Sequence, residues 1–160
     1  MRFLCLHGLG TNNILHANCI PQYPITTKTY NYFDVNDARS MLQALVQLDT
    51  FISLEGPFDG VIAYSHGAGF IATYIVEKAV LNAQPPFKCA IFFSAARPVN
   101  PESLRNGELR FMDGETDGVK ITMPTAHIWG DNDDTHRACH PRRKGKGCSL
   151  GSWEGNKEDT

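Results

Sequence analysis

Residues 58–70 read FDGVIAYSHGAGF, and no other stretch narrows the possible folds of this chain as far. The apolar β-branched pair Val61-Ile62 leads through Ala63 and Tyr64 to Ser65. His66, Gly67 and a run of small residues follow. Such a pattern is a strand, a sharp turn and a helix start, with a serine at the apex. A turn this tight brings neighbouring backbone close, so the positions two before and two after the serine must be small. They are Ala63 and Gly67, which makes the motif AxSxG. Five-residue motifs recur by accident, so the surrounding chain has to carry the rest of the argument.

The surroundings alternate strand and helix. Arg2 to Leu6 is a short apolar strand, followed by the glycine-bearing loop His7-Gly8-Leu9-Gly10-Thr11-Asn12. Asn13 to Phe33 carries prolines at 21 and 24 and has no sustained period, so it reads as irregular. From Asp37 to Leu54, Met41, Leu45, Leu48 and Ile52 recur at helical spacing. Leu42, Val46 and Phe51 widen that stripe. Asn36 or Asp34 is expected to cap the helix, and Gly56-Pro57 to stop it.

The elbow strand comes next, then a helix from about Gly67 to Asn82 that ends before Pro85-Pro86. Lys88 to Ser94 is a third strand and Thr125 to Gly130 a fourth. Between them lies a polar region with one short helix expected at Pro101 to Asn106. Strands alternating with helices imply an α/β fold around a parallel sheet.

Composition narrows the function classes. The 160 residues suit one domain, with a net charge of −2 and 20% charged residues. That balance suggests neither a nucleic-acid partner nor a membrane surface, and no apolar run approaches a membrane span. MRFLCLHG reads as a strand with no small-residue cleavage site. The five cysteines are scattered, which favours a reducing, cytoplasmic setting. Cys5 and Cys89 lie in apolar strands and are expected to act as core hydrophobes.

The elements converge on one chemistry. A strained turn at Ser65 is the nucleophile elbow of an α/β-hydrolase. Such an enzyme needs a base, an acid that orients it, and amide donors for the oxyanion. The loop after the first strand offers the Leu9 amide, and His66 supplies the amide just after the serine. The loop after the fourth strand brings Asp131, Asp133 and Asp134, in the expected order of serine and then acid.

Three stretches carry a family resemblance: RFLCLHGLGTN (residues 2–12), EGPFDGVIAYSHGA (55–68) and PTAHIWGDNDD (124–134). They resemble LCLHGxGTN, EGPFDGVxGFSQGA and PTLHVxGxxD of the FSH family of small eukaryotic serine hydrolases, prominent in fungi. The resemblance covers residues 1–14 and 30–134. It implies an α/β-hydrolase-like three-layer sandwich with a reduced, mainly parallel sheet. It also implies hydrolysis of esters or thioesters, some members releasing polyketides from carrier proteins. On it, Ser65 is the nucleophile and Asp133 the catalytic acid, while Asp131 and Asp134 miss the family spacing.

The chain departs from the family twice. Only about fifteen residues stand where members carry a helix and a further strand before the stretch resembling Tyr30 to Asp34. After Asp134 the chain reads THRACHPRRKGKGCSLGSWEGNKEDT, with no apolar period and no GGH for the catalytic histidine, like a change of reading frame or splicing. The expectation is a hydrolase domain over 1–134 and a divergent, solvated tail over 135–160. The missing elements would lie at opposite edges of the sheet. Their helices would leave one apolar face open unless residues 13–33 cover it.

Of the six histidines, the tail pair His136 and His140 follow Asp133 closely enough for one to approach Ser65, and His140 is the candidate base. His66 adjoins the serine with a diverging side chain, His7 shapes its loop, and His127 reads as a core or half-buried histidine. His16 has nothing to place it. His136, Cys139, His140 and Cys148 match no common zinc spacing, so neither a metal nor another cofactor is expected. The expected partner is a small-molecule ester or acyl thioester, free or carrier-bound.

Overall fold

The computed structural model describes residues 1–10, 30–114, 116–118 and 120–130. Four strands, β1 (Phe3–Leu6), β2 (Gly60–Tyr64), β3 (Cys89–Phe93) and β4 (Thr125–Ile128), form one sheet in the order β1-β2-β3-β4. Every pairing is parallel. Three helices, α1 (Ala38–Glu55), α2 (Ser65–Val80) and α3 (Pro101–Arg105), alternate with the strands. This is the parallel α/β sheet that the alternating pattern implies, reduced to four strands as the family resemblance implies.

Register and the two-residue period of a strand divide the sheet into two faces. Leu4, Val61 and Ala90 align across the strands on one face, as do Leu6, Ala63 and Phe92. With Val61 and Ala63 fully buried, this face joins the core formed by Met41, Leu45 and Ile52 of α1 and Phe70, Ile71 and Ile75 of α2. Helix α2 is buried along Gly67–Val76, as an apolar helix with little amphipathic contrast should be. It packs on β1, β2, β3 and α3. Asp49 links α1 to α2, accepting from the Tyr74 hydroxyl at 2.6 Å and pairing with Lys78.

The other face carries Phe3, Cys5, Ile62, Ile91, Phe93 and Ile128, none of which joins the core cluster. Most of these residues are half-buried, and the segment expected to cover this face or leave it open, residues 13–33, lies for the most part outside the described residues. The structure corrects the reading of the two strand cysteines. Cys5 is exposed and Cys89 half-buried, because both point to this face and away from the helices.

Helix α1 is capped by Asp37, whose carboxylate accepts from the Arg39 amide at 2.9 Å, and not by Asn36 or Asp34. Asp34 instead shapes the preceding turn, accepting from the Asn36 amide through its side chain. Val46 is 67% exposed and lies outside the buried stripe, while Phe51 is half-exposed and stacks on Phe58.

Thr73, fully buried in α2, fastens the connection to α3. Its hydroxyl donates to the Gly69 carbonyl at 2.8 Å and accepts from the Val99 amide at 2.9 Å. Thr73→Val keeps the shape but strands the buried Val99 N–H, which should cost about 1–3 kcal/mol. Chemical denaturation is expected to give a lower midpoint at unchanged slope; an unchanged midpoint would show that Val99 finds another acceptor.

Candidate active site

The carboxyl ends of the parallel strands share one edge of the sheet, where side chains from separate loops can meet. At that edge β2 passes directly into α2, so Ser65 follows the last strand residue, Tyr64. Ser65 has a φ of +51°, in the left-handed region that few non-glycine residues occupy. Tyr64, at the N-cap, makes no side-chain capping bond, and no acidic residue stands in the first turn. The positive end of the helix dipole thus lies beside Ser65 with no acidic side chain in its first turn, an environment suited to a developing negative charge.

Small residues are required where the backbone crowds. A Cβ at position 67 would stand 2.4 Å from the His7 carbonyl oxygen and 3.0 Å from the Leu6 Cβ. Glycine there lets α2 start hard against the end of β1. A Cβ at position 8 would meet the Tyr64 ring at 2.8 Å and the Ser65 Cβ at 3.5 Å. These contacts set the 7–10 loop beside Ser65, because β1 pairs directly with the elbow strand. Leu9 is the next residue along that loop and is exposed.

An aromatic cluster ties these pieces together. The Tyr32 ring stacks on His7 at 4.7 Å and on Phe70 at 5.2 Å, and Phe33 lies 4.5 Å from His66. His66 and Phe70 are one turn apart on α2 and so share a face. The His7 amide donates to the Tyr32 hydroxyl at 2.8 Å. Burial pushes the Tyr32 phenol up to about 12, so it accepts that bond as a neutral group. The His7 ring Nδ1 lies 2.8 Å from the Gly8 carbonyl, which can only accept, so Nδ1 carries the proton.

Both ring nitrogens of His66 are buried, with no hydrogen-bond partner among the described residues. Desolvation first, and the neighbouring His7 second, hold its imidazole below its ordinary value. The unfolded chain therefore binds this proton more readily than the folded one. Stability should be intact above the ordinary histidine value of about 6.5 and be lost as pH falls below it. Thermal melts between pH 7.5 and 5.5 are expected to show this loss, and His66→Gln to flatten it. An identical slope in the variant would assign the effect elsewhere.

The structure thus brings Ser65, His66 and the loop bearing Leu9 together. Asp133 and His140 lie outside the described residues, as do Asp131, Asp134, His16, His136 and the residues of the tail. His127 is half-buried on β4, its ring 5.0 Å from Phe92, in keeping with a core histidine. Sequence reasoning missed Tyr32 and Phe33 as builders of this site. They follow a proline-bearing stretch without periodicity, and only a cluster of aromatic residues hinted at them.

A parallel α/β sheet with a left-handed serine between strand and helix defines an α/β-hydrolase-like protein. A family model described as "Serine hydrolase (FSH1)" matches residues 22–140. The chain belongs to this serine hydrolase family, and with it to the esterase-type enzymes.

It is similar to Esterase FPY3 of Fusarium mangiferae, with 34% identity over 179 residues covering 88% of this chain and 82% of the relative. It is also similar to Hydrolase phiM of a fungal species, at 25% over 154 residues, covering 83% and 73%. Esterase alnB of Emericella nidulans is 26% identical over 149 residues, covering 71% of this chain and 52% of its own length. The FPY3 alignment is longer than this chain's share of it by some tens of residues, so that relative carries residues with no counterpart here. Among the described residues, no helix is long and apolar enough to cross a membrane.

Proposed function

We propose that this protein hydrolyses a carboxylic ester or thioester through an acyl intermediate on Ser65. The left-handed backbone of Ser65 at the strand–helix junction carries this reading. The Ser65 Oγ attacks the substrate carbonyl carbon and passes its proton to a base, for which His140 is the candidate, oriented by Asp133. The carbonyl oxygen gains the negative charge between the amides of His66 and Leu9. Collapse of this tetrahedral species expels the alcohol or thiol, which takes the proton from the base. Water then attacks the acyl-serine by the same route in reverse and restores the hydroxyl. No step calls on a metal or an organic cofactor. The substrate class is a small acyl ester or thioester, free or presented by a carrier.

A second reading rests on the tail, where the sequence lacks the family's GGH stretch. On that reading the hydrolase fold persists without an efficient base. An elbow and oxyanion site alone retain roughly 10³–10⁴-fold over water.

Turnover of p-nitrophenyl esters and of acyl-N-acetylcysteamine thioesters separates the two, with His136→Ala and His140→Ala alongside. The proposal expects saturable hydrolysis that collapses in His140→Ala. Slow hydrolysis indifferent to both histidines would favour the impaired enzyme. No hydrolysis above buffer would contradict the proposal.

A further inference from the structure

A second strained serine stands beside the first. Tyr64 and Phe93 are the last paired residues of β2 and β3, so Ser65 and Ser94 follow them side by side at the carboxyl edge. Ser94 has a φ of +43°, again left-handed without being glycine. Its amide donates to the Ile128 carbonyl at 2.8 Å, holding it to β4 while the chain turns. Two residues later the Ala96 amide donates to the carbonyl of Ser65 at 3.1 Å. The Ala96 and Arg97 carbonyl oxygens lie 3.1 Å from where a Cβ on Gly69 would stand, so this turn rests on the opening of α2.

An extended Ser94 would carry Ala95 and Ala96 onward along the strand direction, away from the elbow. Strained residues persist only where their surroundings over-determine them, and here the turn that begins at Ser94 reaches Ser65 through the Ala96 amide.

We infer that Ser94 is a positioning residue for the nucleophile: its left-handed turn sets the Ala96 N–H on the Ser65 carbonyl and so fixes the elbow backbone. The inference rests on Ser65 being the nucleophile, and it assigns Ser94 a backbone role that its hydroxyl does not share.

Two variants test it. Ser94→Val resists the left-handed region through its branched Cβ, whereas Ser94→Gly adopts that region without strain. Two readouts apply: amide hydrogen exchange at Ala96 by NMR, and the first-order rate of Ser65 labelling by a fluorophosphonate at saturating reagent. In Ser94→Val, Ala96 exchange is expected to rise and labelling to slow by about tenfold each, with circular dichroism unchanged. Ser94→Gly should rescue both.

If Ser94→Val does not fold, Ser94→Ala imposes a smaller penalty and is read in the same way. Wild-type values in Ser94→Val would overturn the inference. So would equal losses in Ser94→Val and Ser94→Gly, which would give the role to the hydroxyl. Absence of labelling in the wild-type chain would contradict the nucleophile reading, while Ala96 exchange still decides whether Ser94 makes the turn.

Discussion

Replacing Ser65 with alanine or glycine is expected to abolish hydrolysis, while the two variants separate in stability. Both remove the attacking oxygen, so neither can form the acyl intermediate. Loss of a nucleophile in an intact triad lowers turnover by roughly 10³–10⁶-fold. The backbone consequence differs. Alanine retains a Cβ at φ +51° and keeps the strain. Left-handed backbone costs a non-glycine residue about 1–2 kcal/mol. Glycine relieves this but gains roughly 0.4–1 kcal/mol of unfolded-state entropy. The net gain should be about 1 kcal/mol, or roughly 2–4 °C in Tm for a chain of this size. Differential scanning fluorimetry on the pair measures it. A glycine variant melting below the alanine variant would contradict a strained elbow, and residual hydrolysis comparable to wild type would contradict Ser65 as nucleophile.

Gly67→Ala is expected to damage both stability and turnover, against what helix propensity alone dictates. Inside a helix, alanine is favoured over glycine by about 1 kcal/mol. At position 67 the added Cβ would stand 2.4 Å from the His7 carbonyl oxygen and 3.2 Å from the Leu6 carbonyl carbon. Both neighbours are backbone of β1 and its loop, held in the parallel ladder with β2, so neither can swing aside. Overpacking of this kind costs about 1–3 kcal/mol, and contact with a fixed backbone belongs at the upper end. A Tm drop of roughly 4–10 °C follows. The 7–10 loop would shift away from Ser65, and displacement near 1 Å at a reacting centre costs about 10²-fold in rate. A Gly67→Ala protein as stable and active as wild type would show that α2 does not start against β1 as described.

Much of this architecture was legible in the sequence because hydrophobic spacing is a local signal. The strands at Arg2 to Leu6 and Lys88 to Ser94, and the helix from Asp37, lie within a residue or two of β1, β3 and α1. The serine between strand and helix was legible for the same reason, since a small-residue turn announces itself.

What escaped depends on contacts between distant segments. Val46 and Phe51 have helical spacing, but how wide a stripe is buried depends on what α1 packs against. Cys5 and Cys89 alternate correctly within their strands, yet their exposure depends on which sheet face the helices cover. Asp34, Asn36 and Asp37 offer similar capping chemistry in sequence, and only the backbone chooses Asp37 among them. The left-handed turn at Ser94 has no glycine or asparagine to announce it. Its evidence is a hydrogen bond to Ser65 from two residues farther on.

The most direct test of the central claim is the intact mass of purified protein after exposure to a fluorophosphonate, with Ser65→Ala treated in parallel. A single adduct on the wild-type chain, absent from the variant, is the expected result, and would mean that the elbow is formed and Ser65 is activated. A folded wild-type protein with no adduct, or an adduct that persists in Ser65→Ala, would contradict it.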